Sequence, residues 1–345
     1  MKAHVTDLKH GDCLMTDTFN GVGLHVLPKG TIVYSEEISI LIRHKIDYVD
    51  IEPRNITQLN DGMILAQGLN GNFDLAIQSY ESIFLEALSK GSFTQSDVDN
   101  TLQPLLEKLD EHKDVVSLLL LLEREDVGTY NHSLQVGLLS FYIATWLGHS
   151  KAERYEISRA GYLHDIGKSR ISPTLLTKTG NLTPEETEEL KQHTTYGYDI
   201  ILKSMNDEKT ALVALQHHEF EDGTGYPNRL RKSDVHPYTL IVAVANMYVG
   251  LTTTRANQPK QGLITVLHKV HELGFGKLNG NAVQALIGHL LPNFVGKNVQ
   301  LSNGELGTII MNNPLDIFKP LVKVNDTTFR DLSRERNLTV EEVYI

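Results

Sequence analysis

His164-Asp165-Ile166-Gly167-Lys168 sets an imidazole and a carboxylate side by side, and the glycine marks the pair as the end of a helix. Working outward, apolar residues recur at helical spacing over Leu134 to Leu147, Leu102 to Leu109 and Ala76 to Ser89. Asn181-Leu182-Thr183-Pro184-Glu185-Glu186 is a helix start, with Thr183 as cap, Pro184 in the first turn and acids facing the dipole. From Phe73 to about Phe294 strand signals are few, which predicts an all-helical core domain over residues 73–297.

The flanks read differently. Residues 1–60 predict a small β-rich module with one helix. Cys13-Leu14-Met15, Gly23 to Leu27 and Thr31 to Tyr34 are its β-prone runs, separated by Asn20-Gly21 and Pro28-Lys29-Gly30. Ser35-Glu36-Glu37 offers an N-cap and acidic first turn for a helix through Ile42 or Arg43, Tyr48-Val49-Asp50-Ile51 alternates like a strand, and Asn55 to Gly71 reads as a linker. Residues 298–345 predict a short β appendage: a hairpin of Asn298 to Leu301 and Leu306 to Ile310 about Ser302-Asn303-Gly304, then a strand at Pro320 to Val324. The fold class expected is mainly α, with small β-rich pieces at each end.

Composition narrows the function classes. The 345 residues are 41% apolar and 22% charged, ordinary for a globular protein rather than a disordered one. A net charge of −11 argues against broad binding to DNA or to anionic membrane. The single cysteine, Cys13, forms no intramolecular disulfide and fits a reducing compartment. Met1 to Asp7 carries no signal-type apolar run, and the strongest apolar stretch, Val115 to Leu122, is far short of the roughly 20 residues of a membrane span. A cytoplasmic protein is expected.

His132, His164, His193, His217 and His218 fall on or beside the predicted helices, with Asp165 next to His164. Imidazole and carboxylate together suit divalent Fe, Mn, Zn or Ni. A carboxylate can bridge two ions roughly 3.5–4 Å apart, which suits an in-line phosphoryl displacement. Lys168 could neutralise a phosphate oxygen; as a plain helix-end cation it would contribute about 0.3–1 kcal/mol. His217-His218-Glu219 precedes Asp222-Gly223-Thr224-Gly225-Tyr226-Pro227, where the glycines allow close approach and Tyr226 could stack on a base or donate a hydrogen bond; the same run also reads as a surface turn.

Taken together, His132, the His164 to Lys168 run, His193 and the His217 to Pro227 run resemble the HD-GYP family, a branch of the HD metal-dependent phosphohydrolases. The motif match spans residues 125 to 255. The resemblance implies hydrolysis of cyclic di-GMP, or a related cyclic dinucleotide, to linear pGpG and in some members on to GMP. It implies metal ligation by His132, His164, Asp165 as bridge, His193, His217 and His218. Two divalent ions are implied, iron or manganese first and nickel or zinc as alternatives. Asp165 and Lys168 would be catalytic, while Gly225, Tyr226, Pro227 and Arg255 would contact the nucleotide. A signalling-protein partner at the Gly-Tyr-Pro loop is implied as well, and a homodimer is compatible with the sequence. Lys9-His10-Gly11-Asp12 and Leu27-Pro28-Lys29-Gly30-Thr31 resemble turns of the small domain that precedes such cores.

The sequence departs from the family at definite places. Where the family has A-D-x-Y-D-A-L-T this chain has Ala245-Asn246-Met247-Tyr248-Val249-Gly250-Leu251-Thr252, so Asn246 replaces a ligand acid and brings no charge. Members with three metals carry a glutamate where Gly128 stands, so two metals at most are expected. Ala256-Asn257-Gln258-Pro259-Lys260 also departs from the R-P-Y-R/K pattern. An active phosphodiesterase is the leading expectation. Its rivals are a regulatory module that binds nucleotide or a partner without turnover, and a phosphohydrolase for another substrate.

Overall fold

The computed structural model describes residues 2–5, 8, 12–21, 23–51, 61–110, 129–253, 262–313, 316–335 and 337–344. They fall into two compact units, one of residues Leu65–Gln261 with Val266–Leu290, the other of Met1–Ile64, Gly262–Thr265 and Leu291–Ile345.

The larger unit is helical, as the periodicity predicts. After α1 (Ser35–Arg43) of the other unit, the chain runs through α2 (Asp61–Lys90), α3 (Gln95–Leu109), α4 (Thr129–Trp146), α5 (Lys151–Leu163), α6 (Pro173–Leu176), α7 (Pro184–Lys191), α8 (His193–Met205), α9 (Glu208–Gln216), α10 (Pro237–Thr252), α11 (Leu263–Leu273) and α12 (Gly280–Leu290). In α2 the residues Phe73, Ala76, Tyr80, Ile83 and Ala87 recur every three or four positions, and all are buried. Tyr162 of α5 is buried against this stripe and donates its hydroxyl to the Ala76 carbonyl at 2.6 Å. α4 is buried on every side from Ser133 to Ala144, the mark of a central helix; it packs on α5, α10 and α12. Thr183 caps α7 through the Glu186 N–H, while Glu186 accepts the Thr183 N–H in return.

One reading is corrected here. The Asn55 to Gly71 stretch is not all linker: α2 already begins at Asp61, while residues 52–60 lie outside the described residues. Gly62, Gly68 and Gly71 weaken a helix, but once the Phe73 stripe has nucleated one, each further residue adds a hydrogen bond at little cost.

The other unit contains the strands. β1 (Lys2–His4) pairs antiparallel with β4 (Tyr48–Asp50), and β2 (Thr18–Phe19) with β3 (His25–Leu27). α1 ends at Arg43, as expected, but its cap is Tyr34 and Ser35 is already helical. Cys13 bridges Ile32 and Leu14 bridges Ile51 only as isolated pairs, so two of the expected N-terminal strands are reduced to isolated bridges. Val5, Leu14, Val33, Leu41 and Ile51 form a core against which Leu306 packs. β5 (Asn298–Leu301) and β6 (Leu306–Met311) are the expected hairpin, turning at Gly304 with φ +83°. β7 (Leu321–Lys323), β8 (Phe329–Asp331) and β9 (Val340–Tyr344) complete a five-stranded sheet of order β8-β7-β6-β5-β9. Among the described residues no helix is long and apolar enough to cross a membrane.

Candidate metal centre

Five helices deliver the histidines and their neighbours. His132 lies in the first turn of α4, His164 caps the C-terminus of α5, and His193 opens α8. His217 caps the C-terminus of α9, His218 follows it, and Asn246 sits on α10. Three of these imidazoles are held in the same way. Nδ1 of His164, His193 and His217 donates to the carbonyl three residues earlier, Gly161 at 2.7 Å, Leu190 at 2.6 Å and Ala214 at 2.8 Å. A carbonyl only accepts, so each neutral ring carries its proton on Nδ1 and presents the Nε2 lone pair inward.

Two sets of metal-type donors result: His132, His164 and Asp165, and His193, His217 and His218. The buried Asp165 carboxylate stands between them. Its Oδ2 lies 3.3 Å from His164 Nε2 and 3.8 Å from His132 Nε2. Its Oδ1 lies 3.4 Å from His193 Nε2 and 3.7 Å from His217 Nε2. Lys168 donates to Oδ2 at 2.6 Å, across one turn of the 3₁₀ segment Ile166–Arg170.

The residues fit divalent ions on their own geometry. The Nε2 atoms of His193 and His217 face each other at 3.2 Å although their protons are committed to Nδ1, so two lone pairs are opposed. His164 Nε2 and Asp165 Oδ1 are buried and have no hydrogen-bond partner among the described residues. A cation shared by these donors relieves both problems, since buried polar atoms are otherwise costly. Protonation states agree. Burial pushes His132 down to about 3 and His193 down to about 4, and burial also holds His217 and His218 well below the usual histidine value. Burial opposes the Asp165 charge, but His164 and Lys168 beside it hold the carboxyl well below the usual carboxylate range. His132, His193, His217 and His218 are therefore held as neutral imidazoles beside one anion, the state in which they ligate metals. The C-terminal ends of α5 and α9, at His164 and His217, add partial negative charge.

Asn246 stands within this group. Its Oδ1 is 3.0 Å from Nε2 of His132, the nitrogen that His132 turns toward Asp165. Gly167 does not terminate α5 through a left-handed turn, as the sequence suggests. It lies inside the 3₁₀ segment, and a Cβ there would collide with the His193 carbonyl oxygen and the Gly197 nitrogen. Its small size lets the His164-Asp165 segment touch the start of α8 and so sets Asp165 beside His193.

The Gly-Tyr-Pro run forms a loop against the second histidine set. A Cβ on Gly225 would strike backbone atoms of His218, Glu219 and Phe220, and Gly223 has φ +79°. The Tyr226 ring lies on His218, with centroids 4.5 Å apart and planes 17° apart, and the Tyr226-Pro227 peptide is cis. Arg255, Gly128 and Lys260 lie outside the described residues.

Two residues of this region escaped the sequence reading of roles. Glu219 is buried and accepts the N–H groups of Asn228 at 2.6 Å and Leu230 at 3.0 Å, clamping the loop. Lys191, the last residue of α7, holds its ammonium 5.4 Å from the centroid of the Tyr226 ring. The only signal for either was proximity in sequence to a histidine. A separate concavity of about 1170 Å³, lined by Tyr34, Arg43, Glu305 and Lys323 among others, contains no histidine and belongs to the strand-containing unit.

Residues 115–273 match the family model for the HD domain, a span that holds every donor above. A cyclic di-GMP phosphodiesterase of Thermotoga maritima is 36% identical over 203 residues, covering 58% of this chain and 54% of that protein. A 3'3'-cGAMP-specific phosphodiesterase of Vibrio cholerae is 35% identical over 127 residues, covering 37% of this chain and 28% of that protein. The chain thus spans about half, or less, of the curated relatives it matches. Among solved structures, the HD-GYP-type protein Bd1817 of Bdellovibrio bacteriovorus superposes with a TM-score of 0.53 at 18% identity, over 83% of this chain and 97% of that one; the likeness is one of fold.

Proposed function

We propose that this chain, an HD-domain protein across residues 115–273 with the motifs of the HD-GYP branch, is a metal-dependent phosphodiesterase that opens a cyclic dinucleotide. The carrying observation is the Asp165 carboxylate, which turns one oxygen to each of two histidine sets. His132, His164 and Asp165 would hold one ion, and His193, His217 and His218 with Asp165 a second. Divalent ions, when bound, polarise a phosphodiester and lower the pKa of a water. The relatives' names point to cyclic di-GMP first and to cyclic GMP-AMP as the close alternative. The mixed imidazole and carboxylate donors suit divalent Fe, Mn, Zn or Ni, and the resemblance to the HD-GYP branch puts iron or manganese first.

The chain's own residues then have definite tasks. Burial keeps His193 and His217 neutral, and carbonyl partners hold Nε2 of His164, His193 and His217 inward, so these three rings need no reorientation to ligate. Lys168, partly exposed and already paired with Asp165, balances negative charge where a phosphate oxygen arrives. The Tyr226 loop, fixed by Glu219, forms a wall beside His218.

Anaerobic purification, metal quantification and assay of cyclic di-GMP turnover to pGpG test the reading. Two ions per chain with turnover support it. Two ions without hydrolysis, alongside tight nucleotide binding, would replace it by a second reading, a receptor that binds without turnover. The observation favouring that second reading is Asn246, whose uncharged oxygen occupies His132 Nε2.

A further inference from the structure

The ring of Tyr226 stacks on His218, centroids 4.5 Å apart and nearly parallel, and the Lys191 ammonium stands over the same ring, 5.4 Å from its centroid. His218 in turn is 5.2 Å, centroid to centroid, from His193 and belongs to the second donor set. Lys191, Tyr226 and His218 are therefore successive neighbours, the last of them one of the metal-type donors.

We propose that Lys191 recognises the second phosphate of a cyclic dinucleotide, the one not placed at the His/Asp cluster; this rests on the phosphodiesterase reading above. Three observations carry it. Lys191 is a cation on the rim of the site, its side chain 31% exposed, whereas Lys168 is committed to Asp165 within the centre. The acid that pairs with it among the described residues, Glu188, is 69% exposed on the same helix at 2.6 Å, and such a surface pair is exchanged readily for a phosphate. The ammonium stands over the Tyr226 ring, so a nucleotide whose base lies against that ring brings its phosphate within reach of Lys191. A substrate with two phosphates gains from this contact, and a simple diester with one phosphate does not.

The test compares Lys191→Gln and Lys191→Arg with the wild-type chain, each loaded with manganese, on cyclic di-GMP and on bis(p-nitrophenyl) phosphate. Lys191→Gln is expected to raise KM for cyclic di-GMP about tenfold with kcat within about twofold, to leave the single-phosphate diester unchanged, and to be rescued by Lys191→Arg. Equal losses on both substrates, or no change in KM, would overturn the proposal. Wild-type protein that hydrolyses neither substrate would count against the phosphodiesterase reading instead. Direct binding of cyclic di-GMP then decides the Lys191 proposal alone, because the tenfold weakening in Lys191→Gln is expected with or without turnover.

Discussion

Asn246 places its side-chain oxygen 3.0 Å from Nε2 of His132, within the donor set that Asp165 completes. An amide there gives a metal a dipole where an acid would give a charge. Asn246→Asp should therefore tighten metal binding. A unit charge about 4 Å away is worth on the order of 4 kcal/mol at an effective dielectric near 20, before the cost of desolvating it. A gain of about tenfold or more in manganese affinity, read by competition with a chelating dye, is expected after that cost. Unchanged affinity would place residue 246 outside the ligand set.

The division of the Asp165 carboxylate makes a different prediction from that of any single histidine. His217→Ala removes a donor from one set, so bound metal should fall from two equivalents to about one. Asp165→Ala removes the oxygen facing each set, and both equivalents should be lost, with turnover down on the order of 100-fold or more. Elemental analysis of the purified variants reads both numbers. Retention of two ions by Asp165→Ala would contradict the bridging role.

Glu219 predicts a stability effect coupled to the loop. Glu219→Ala leaves the N–H groups of Asn228 and Leu230 without their acceptor, at about 1–3 kcal/mol for each such group that stays unsatisfied. A lowered melting temperature with faster amide exchange at Asn228 and Leu230 is the expected result. Unaltered exchange at those two amides would mean that the loop is held by other contacts.

The histidines of the centre were legible because ligand-type residues stood out on helices whose spacing was already clear. The Ala76 to Ser89 periodicity is the buried stripe that Tyr162 packs against. What stayed hidden depends on approach between distant segments. Gly167 reads as a helix stop, yet its reason for being glycine lies at His193 and Gly197, which local sequence does not reveal. Glu219 sits in a motif, but its partners are backbone amides nine and eleven residues on. β9 escaped notice because Glu341 and Glu342 break the alternation, and it exists by pairing with β5 some forty residues earlier. Asn246 was legible as a substitution, whereas its contact with His132 came only with the fold.

Acid should weaken the helix that delivers His217 and His218 through Asp207, its N-cap. The Asp207 carboxylate accepts the Thr210 N–H and hydroxyl and the Arg159 guanidinium, the last at 2.7 Å. Burial opposes its charge, but Thr210 and then Arg159 outweigh burial and hold the carboxyl below its ordinary value of 3.8. The folded pKa lies below the unfolded one, so between the two the unfolded chain binds more protons and stability rises with pH. The contribution is present in full above the unfolded value and is lost as pH falls through the folded value. Asp207→Asn keeps a competent cap but loses the charge, at about 1.5–3 kcal/mol for hydrogen bonds to a charged group. Urea denaturation at pH 6 should show that deficit, and the gap between variant and wild type should close as pH is lowered below about 3.8. A gap that stays constant with pH would mean that the Asp207 charge contributes nothing to holding α9 in place.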